Sequence, residues 1–67
     1  MHDDTGFMLA DRVASACETR EDWTAAARTM RLFLASRPDH VNGLRRWAEI
    51  ATRGGLVDQA VEARVRL

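Results

Sequence analysis

The sequence predicts an all-α fold built from two antiparallel helical hairpins, four helices in total. Apolar residues recur at spacings of three and four along the 67-residue chain, which is the period of an amphipathic helix. β-branched residues never alternate with polar ones, so no strand is predicted. The links between the apolar stretches are short, and short links make neighbouring helices antiparallel.

The first helix is predicted over Phe7 to Thr19, after an N-terminal tail of residues 1–6. Asp3, Asp4 and Thr5 place hydrogen-bond acceptors and negative charge ahead of its first turn, where free backbone amides need them. One face of this helix is apolar and is expected to point into the core. Its members are Phe7, Leu9, Ala10, Val13, Ala14 and Cys17.

The second helix is predicted over Trp23 to Ser36. Asp22 is the expected N-cap. The helix ends before Pro38, because the residue that precedes a proline is pushed out of the helical region. The expected core residues are Trp23, Ala26, Ala27, Met30, Phe33 and Leu34, and both Trp23 and Trp47 are interpreted as core.

The third helix is predicted over His40 to Arg53, with Asp39 as its cap. Gly54-Gly55 ends it, since one glycine is free to adopt the left-handed conformation. The expected core residues are Leu44, Trp47, Ala48, Ile50 and Ala51. The fourth helix begins near Leu56 or Val57, and an apolar face follows as Val57, Ala60, Val61 and Val65. We expect His2 and His40 to be exposed to solvent.

An offset of 34 residues aligns the first helix with the third and the second with the fourth. Three aligned pairs are identical: Arg12/Arg46, Ala14/Ala48 and Ala26/Ala60. Small residues at matching positions are expected where paired helices cross closely. The first copy has Ala10, Val13-Ala14, Cys17, Ala26, Met30 and Pro38, and the second has Leu44, Trp47-Ala48, Ala51 and Ala60.

This period and this order of bulky and small residues resemble the tetratricopeptide repeat (TPR). The sequence departs from that pattern at Ala10 and Cys17, which are small, and at Arg64, which is charged. The resemblance implies a short TPR-like solenoid over residues 7–67, with repeat one at 7–40 and a truncated repeat two at 41–67. A generic four-helix bundle is the alternative architecture.

The resemblance also implies a binding groove lined by the first helix of each hairpin. An ordinary solvated helix face is the alternative interpretation of the same residues. The family's clamp for a chain-terminal carboxylate is excluded, because Asp11 and Ser15 stand where that clamp has Lys and Asn. The groove positions are Met8, Asp11, Ser15, Glu18 and Thr19 in the first copy, and Asn42, Arg45, Glu49, Thr52 and Arg53 in the second.

Charge limits the classes of partner. Ten basic residues, all of them Arg, balance ten acidic ones, which argues against nonspecific binding to nucleic acid or to an anionic membrane. Arg45, Arg46 and Arg53 form a local basic cluster. Its members could pair with a partner's carboxylate or phosphate, or they could be compensated by Glu49 and other nearby acids. No apolar run approaches the ~20 residues of a membrane span.

No pattern of an enzyme, a metal site or a cofactor site is found. Nucleophile-elbow, phosphate-loop and metalloprotease spacings are absent, so we expect no catalytic residue, no metal and no cofactor. A single cysteine, Cys17, excludes an intrachain disulfide, is expected to pack as a small hydrophobe, and favours a cytoplasmic location.

The function predicted from the sequence is a non-catalytic protein–protein interaction module that binds a peptide or a protein surface. Two repeats are fewer than such arrays usually need, so we also expect self-association, for instance as a homodimer. The alternative is an N-terminal accessory or docking domain of a larger enzyme or of an assembly-line synthase. The residues expected to mediate self-association are Val57, Val61, Val65 and Leu67.

Overall fold

Four α-helices make up most of residues 4–67, the part of the chain that the computed structural model describes. The all-α prediction is confirmed, and no strand occurs in these residues. The expectations for His2 and Asp3 lie outside the described residues. The helices are α1 (Thr5–Thr19), α2 (Trp23–Ser36), α3 (Val41–Arg53) and α4 (Val57–Arg66).

Helices that follow one another in sequence pack together, α1 on α2, α2 on α3 and α3 on α4. Helix α1 also contacts α3. These two run parallel, because Asp11 and Glu18 of α1 pair with Arg46 and Arg53 of α3 in the same order along both helices. The molecule measures 35 × 26 × 14 Å, and its shortest dimension holds only two layers of helices. Each helix therefore keeps one face in solvent.

The two hairpins turn through the same backbone conformation at an offset of 34 residues. Glu21 has a φ of 58° and Gly55 a φ of 70°, both in the left-handed region that ends helices. Glycine adopts this region without strain, as predicted for Gly54-Gly55, whereas glutamate has a Cβ that opposes it. Two 2.8 Å backbone hydrogen bonds close the turns, from Asp22 N–H to the carbonyl of Cys17 and from Leu56 N–H to the carbonyl of Ala51.

The helix caps were predicted correctly for α2 and wrongly for α1 and α3. Asp4 precedes α1, but its side chain accepts no capping hydrogen bond from the first turn. Asp22 caps α2, and its Oδ1 accepts a hydrogen bond from the Ala25 amide at 3.2 Å. Asp39 does not cap α3. The cap is His40, whose Nδ1 accepts from the Gly43 amide at 3.0 Å. Since α3 begins at Val41, His40 is the residue whose side chain can reach the amide three positions on, and Asp39 lies one residue too early.

His40 is also largely buried, contrary to the prediction that it is exposed. Its ring stacks on Phe7 at a centroid distance of 5.1 Å and meets the edge of Phe33 at 4.9 Å. Because Nδ1 accepts the amide of Gly43, the proton of the neutral ring is on Nε2, which faces Asp4 Oδ1 at 3.3 Å. The imidazole thus joins α1, α2 and α3 at one end of the molecule.

The core lies between α2 and α3 and extends to the inner sides of α1 and α4. Trp47, Met30 and Ile50 are its largest fully buried side chains. The indole N–H of Trp47 donates to Gln59 Oε1 at 3.0 Å, so the one polar atom of this side chain is satisfied. The other buried apolar residues are Ala14, Cys17, Ala26, Ala27, Leu34, Leu44, Ala51, Ala60 and Ala63.

Glycine and alanine occupy the positions where the helices approach most closely. A Cβ on Gly54 would lie 2.4 Å from the Cβ of Trp23, far inside van der Waals contact. A Cβ on Gly43 would lie 3.0 Å from side-chain carbons of Leu34 and Phe33. The prediction of small residues at close crossings holds for Ala14 and Ala26, which have no accessible surface, and for Ala60, which is also buried. It does not hold for Ala48, which is only half-buried.

Two apolar sets predicted to face the core are wrong in part. Leu9 and Val13 of α1 are more than half exposed, because they lie on a side of the helix that no other described helix covers. In α4 the buried residues are Ala60 and Ala63. The three valines of that helix are all more than half exposed, at positions 57, 61 and 65.

Enlarging a fully buried alanine of α2 should destabilise the protein. We expect Ala27→Leu to lower the free energy of unfolding by about 1–3 kcal/mol, because the added atoms have no space in a close-packed core. The matched change Ala35→Leu, at an exposed position of the same helix, should stay within about 0.5 kcal/mol of wild type. Urea unfolding followed by tryptophan fluorescence measures both, and equal effects would contradict this packing.

The two roles of His40 can be separated by substitution. His40→Ala removes the cap and the ring contacts, and should cost about 1–3 kcal/mol in unfolding free energy. His40→Asn keeps a side-chain acceptor for the Gly43 amide but loses the ring contacts and the Nε2 contact with Asp4, at about 0.5–1.5 kcal/mol. Thermal unfolding compares the two variants. The capping role is refuted if Asn is no better than Ala.

Candidate functional site

The groove between α1 and α3 contains a cluster of charged side chains centred on Arg46. Its Nε donates to Asp11 Oδ1 at 2.5 Å, and its Nη2 donates to Ser15 Oγ at 3.2 Å. Both terminal nitrogens donate to the carboxylate of Glu18, and Nη1 also reaches Glu49 Oε1 at 2.5 Å. We call these five residues the Arg46 cluster.

The environment keeps Arg46 charged. Burial of the guanidinium disfavours its charge, but hydrogen bonds and charge attraction from Glu18 and Asp11 outweigh burial, so the pKa of Arg46 lies above its ordinary value. The side chains of Arg46 and Glu18 are only 15% and 13% exposed. A paired charge at this depth is bound tightly, because neither partner regains full hydration if the other leaves. The cluster therefore joins the two hairpins.

The Arg46 cluster changes how the predicted binding groove is interpreted. Asp11, Ser15, Glu18 and Glu49 were predicted to face a partner, but all four contact Arg46. Glu18 also lies 4.0 Å from Arg53. For Arg46, the interpretation of a basic cluster compensated by nearby acids therefore describes the structure. The remaining groove positions are exposed: Met8, Thr19, Asn42, Arg45, Thr52 and Arg53.

A pocket of about 260 Å³ remains in this groove. Its lining includes the apolar ring of Phe7 and the polar side chains of Asn42 and Arg45. Glu49 is half exposed and also contributes to the lining. The pocket is mixed in charge and is partly occupied by the chain's own ion pairs, so it offers a partner few unpaired groups.

A second surface, between α3 and α4, is apolar. It contains a groove of about 210 Å³ on which Val57 and Val61 are more than half exposed. Arg64 lies at its edge, with its guanidinium donating to Thr52 Oγ1 at 3.2 Å. We call the residues of this surface the terminal face, and they are Ala48, Thr52, Val57, Val61 and Arg64.

Within residues 4–67, no group of three His, Cys, Asp or Glu residues could hold a metal ion. Cys17 is buried, and its sulfur accepts from Arg20 at 3.7 Å. In the same residues no helix has the length and the apolar character needed to cross a bilayer. The cytoplasmic location stays a prediction.

The sequence analysis did not identify Arg46 as the centre of a cluster. It also did not predict the ring contacts of His40. The three arginines at 45, 46 and 53 were recognised as a group, but their spacing does not say which one faces α1. A parallel alignment of α1 with α3 would have placed Arg46 beside Asp11. Likewise, Phe7 and Phe33 lie at helix ends that antiparallel packing brings next to the loop before α3.

Removal of Arg46 should destabilise the chain far more than removal of its exposed neighbour. We expect Arg46→Ala to lower the unfolding free energy by about 2–3 kcal/mol, because the largely buried Glu18 carboxylate loses its charged donor. Arg45→Ala, on the same helix, should stay within about 0.5 kcal/mol of wild type. Urea unfolding measures both. Equal losses would mean that the Arg46 cluster does not hold the hairpins together.

Comparisons with known proteins assign the chain to no family. No protein-family model matches the chain. No curated protein and no solved structure matches it significantly either. A function for this chain is therefore proposed from its helix pairs, its Arg46 cluster and its exposed apolar surface.

Proposed function

We propose that the chain is a non-catalytic protein-interaction module that binds an amphipathic helix of a partner on the terminal face. The observation that supports this most directly is the exposed apolar groove containing Val57 and Val61. Apolar groups in contiguous surface patches commonly mark binding sites, because covering them removes their area from water. A helix in a hydrophobic groove is a recurrent mode of peptide recognition.

The internal repeat supports a helix as the occupant. Each residue of the terminal face has an equivalent 34 positions earlier on α1 or α2, the two helices of the first hairpin, and α3 contacts both of them. Of these equivalents, Ala14, Ala27 and Met30 have no accessible surface. The same arrangement of positions thus accommodates a helix once within the chain. The equivalent pairs are Ala48/Ala14, Thr52/Glu18, Val57/Trp23, Val61/Ala27 and Arg64/Met30.

We also propose a TPR-like arrangement for the two hairpins. The matching turns at Glu21 and Gly55, the parallel course of α1 and α3, and the packing of α2 on α3 are what such an array requires. The groove between α1 and α3, where that family binds peptides, is a second candidate surface, supported by its pocket with Arg45 and Asn42. A docking domain of a larger enzyme would be one use of the terminal face, and this alternative stays a prediction.

Selection of binding peptides tests which surface binds. A phage library of amphipathic helical peptides is selected on the wild-type chain, and the affinities of the selected peptides are then measured on two variants. Val61→Glu alters the terminal face, and Met8→Glu makes the same kind of change at an exposed apolar residue of the groove. We expect Val61→Glu to weaken binding at least tenfold, because it places a charge in an apolar contact. Met8→Glu should change affinity less than twofold.

The opposite pattern would contradict the proposal. Peptides that lose affinity with Met8→Glu and tolerate Val61→Glu would assign binding to the groove between α1 and α3. Amide chemical shifts of the labelled chain give an independent readout. Bound peptide should shift Val57 and Val61, and shifts confined to Asn42 and Arg45 would refute the terminal face.

A further inference from the structure

The side of α1 that faces away from the core is apolar and uncovered. Leu9 and Val13 are more than half exposed, and Ala16 beside them is exposed too. We call these three residues the leading face. Their equivalents 34 positions later lie on α3 and are all buried in this fold: Gly43, Trp47 and Ile50.

Helix α3 uses these equivalent positions to pack on α2. The site of a Cβ on Gly43 lies 3.0 Å from carbons of Leu34 and Phe33, and Trp47 lines a cleft together with Leu34 and Pro38. The chain therefore contains one complete interface of this kind, between α3 and the surface of α1 and α2. It also exposes both halves of a second one, the leading face on α1 and the terminal face on α3 and α4.

We propose that a second copy of this chain binds the terminal face of the first copy. The second copy makes this contact through its own leading face, so the copies are arranged head to tail. Helix α1 of one copy then lies on α3 and α4 of the next as α3 lies on α1 and α2 within each copy. This rests on the proposed function of the terminal face and names its occupant. Both surfaces are largely apolar and occupy equivalent positions of the repeat, so the internal interface serves as the template for the external one.

The register places one oppositely charged pair at the contact between copies. Arg12 on α1 is the repeat equivalent of Arg46. The register that places Leu9 and Val13 on the terminal face brings Arg12 to Arg45, Glu49 and Thr52, the equivalents of Asp11, Ser15 and Glu18. Glu49 is half exposed and offers a carboxylate to the incoming guanidinium.

The same comparison predicts that contact between copies is weaker than contact within one copy. Arg46 meets two carboxylates of α1, whereas Arg12 would meet one carboxylate, already shared with Arg46, and one like charge on Arg45. Val13 of the leading face is also smaller than Trp47, its buried equivalent in α3. Association should therefore depend on concentration. Because a head-to-tail contact leaves one face of each kind free at the two ends, it does not stop at a dimer unless a ring closes.

Complementation between two variants tests the arrangement. Val13→Glu alters the leading face, Val61→Glu alters the terminal face, and Met8→Glu is a control in the groove. All three positions are exposed, so circular dichroism should show wild-type helix content. In sedimentation velocity over a concentration series, wild type and Met8→Glu should form growing assemblies. Val13→Glu or Val61→Glu alone should associate at least tenfold more weakly.

A mixture of Val13→Glu and Val61→Glu should form a one-to-one dimer and nothing larger, because each variant retains the face that the other has lost. A mixture that remains monomeric overturns the inference. So does a Val13→Glu variant that associates as wild type does, since that outcome assigns self-association to α4 against α4. A wild type that stays monomeric at every concentration also overturns it, while peptide binding at Val61 would then still support the proposed function.

Discussion

The fold depends on the close approach of its helices at alanine and glycine. At Gly54 the chain passes so near Trp23 that even one added carbon would overlap it. This closeness lets a molecule only 14 Å across in its shortest dimension enclose Trp47 and Met30 completely. Larger residues at these positions would move the helix axes apart. The aromatic and aliphatic side chains would then lose contact with one another, and this loss would offset the apolar area that the larger residues add.

The parts of the fold predicted well are those that local chemistry decides. The bounds of α2 follow from a capping aspartate before Trp23 and from Pro38 after its end, and the end of α3 follows from Gly54-Gly55. The periodicity of α2 and α3 identified their buried faces, because each packs against neighbours on two sides. Helix α1 has apolar residues on two stripes, and periodicity alone does not say which stripe another helix covers. This is why Leu9 and Val13 were assigned to the core.

The candidate site was less predictable, for a different physical reason. The repeat offset placed Arg12 and Arg46 in equivalent positions, but one is exposed and the other lies in a network of five side chains. Their difference depends on what lies beside each helix, which is tertiary information. His40 shows the same limit, since its ring contacts join residues from three helices. Local spacing predicts which residues share a helix face, while the neighbour of that face is decided by the packing of whole hairpins.

Glu21 adopts nearly the same backbone conformation as Gly55, although a side chain in this region costs about 1–2 kcal/mol. The turn is therefore maintained by its closing hydrogen bonds and by the helices on either side, and glycine is not required. Such a turn tolerates mutational drift: residues can change while the path of the chain stays the same. The two turns thus have nearly the same backbone conformation, although only three of the residue pairs aligned at an offset of 34 are identical.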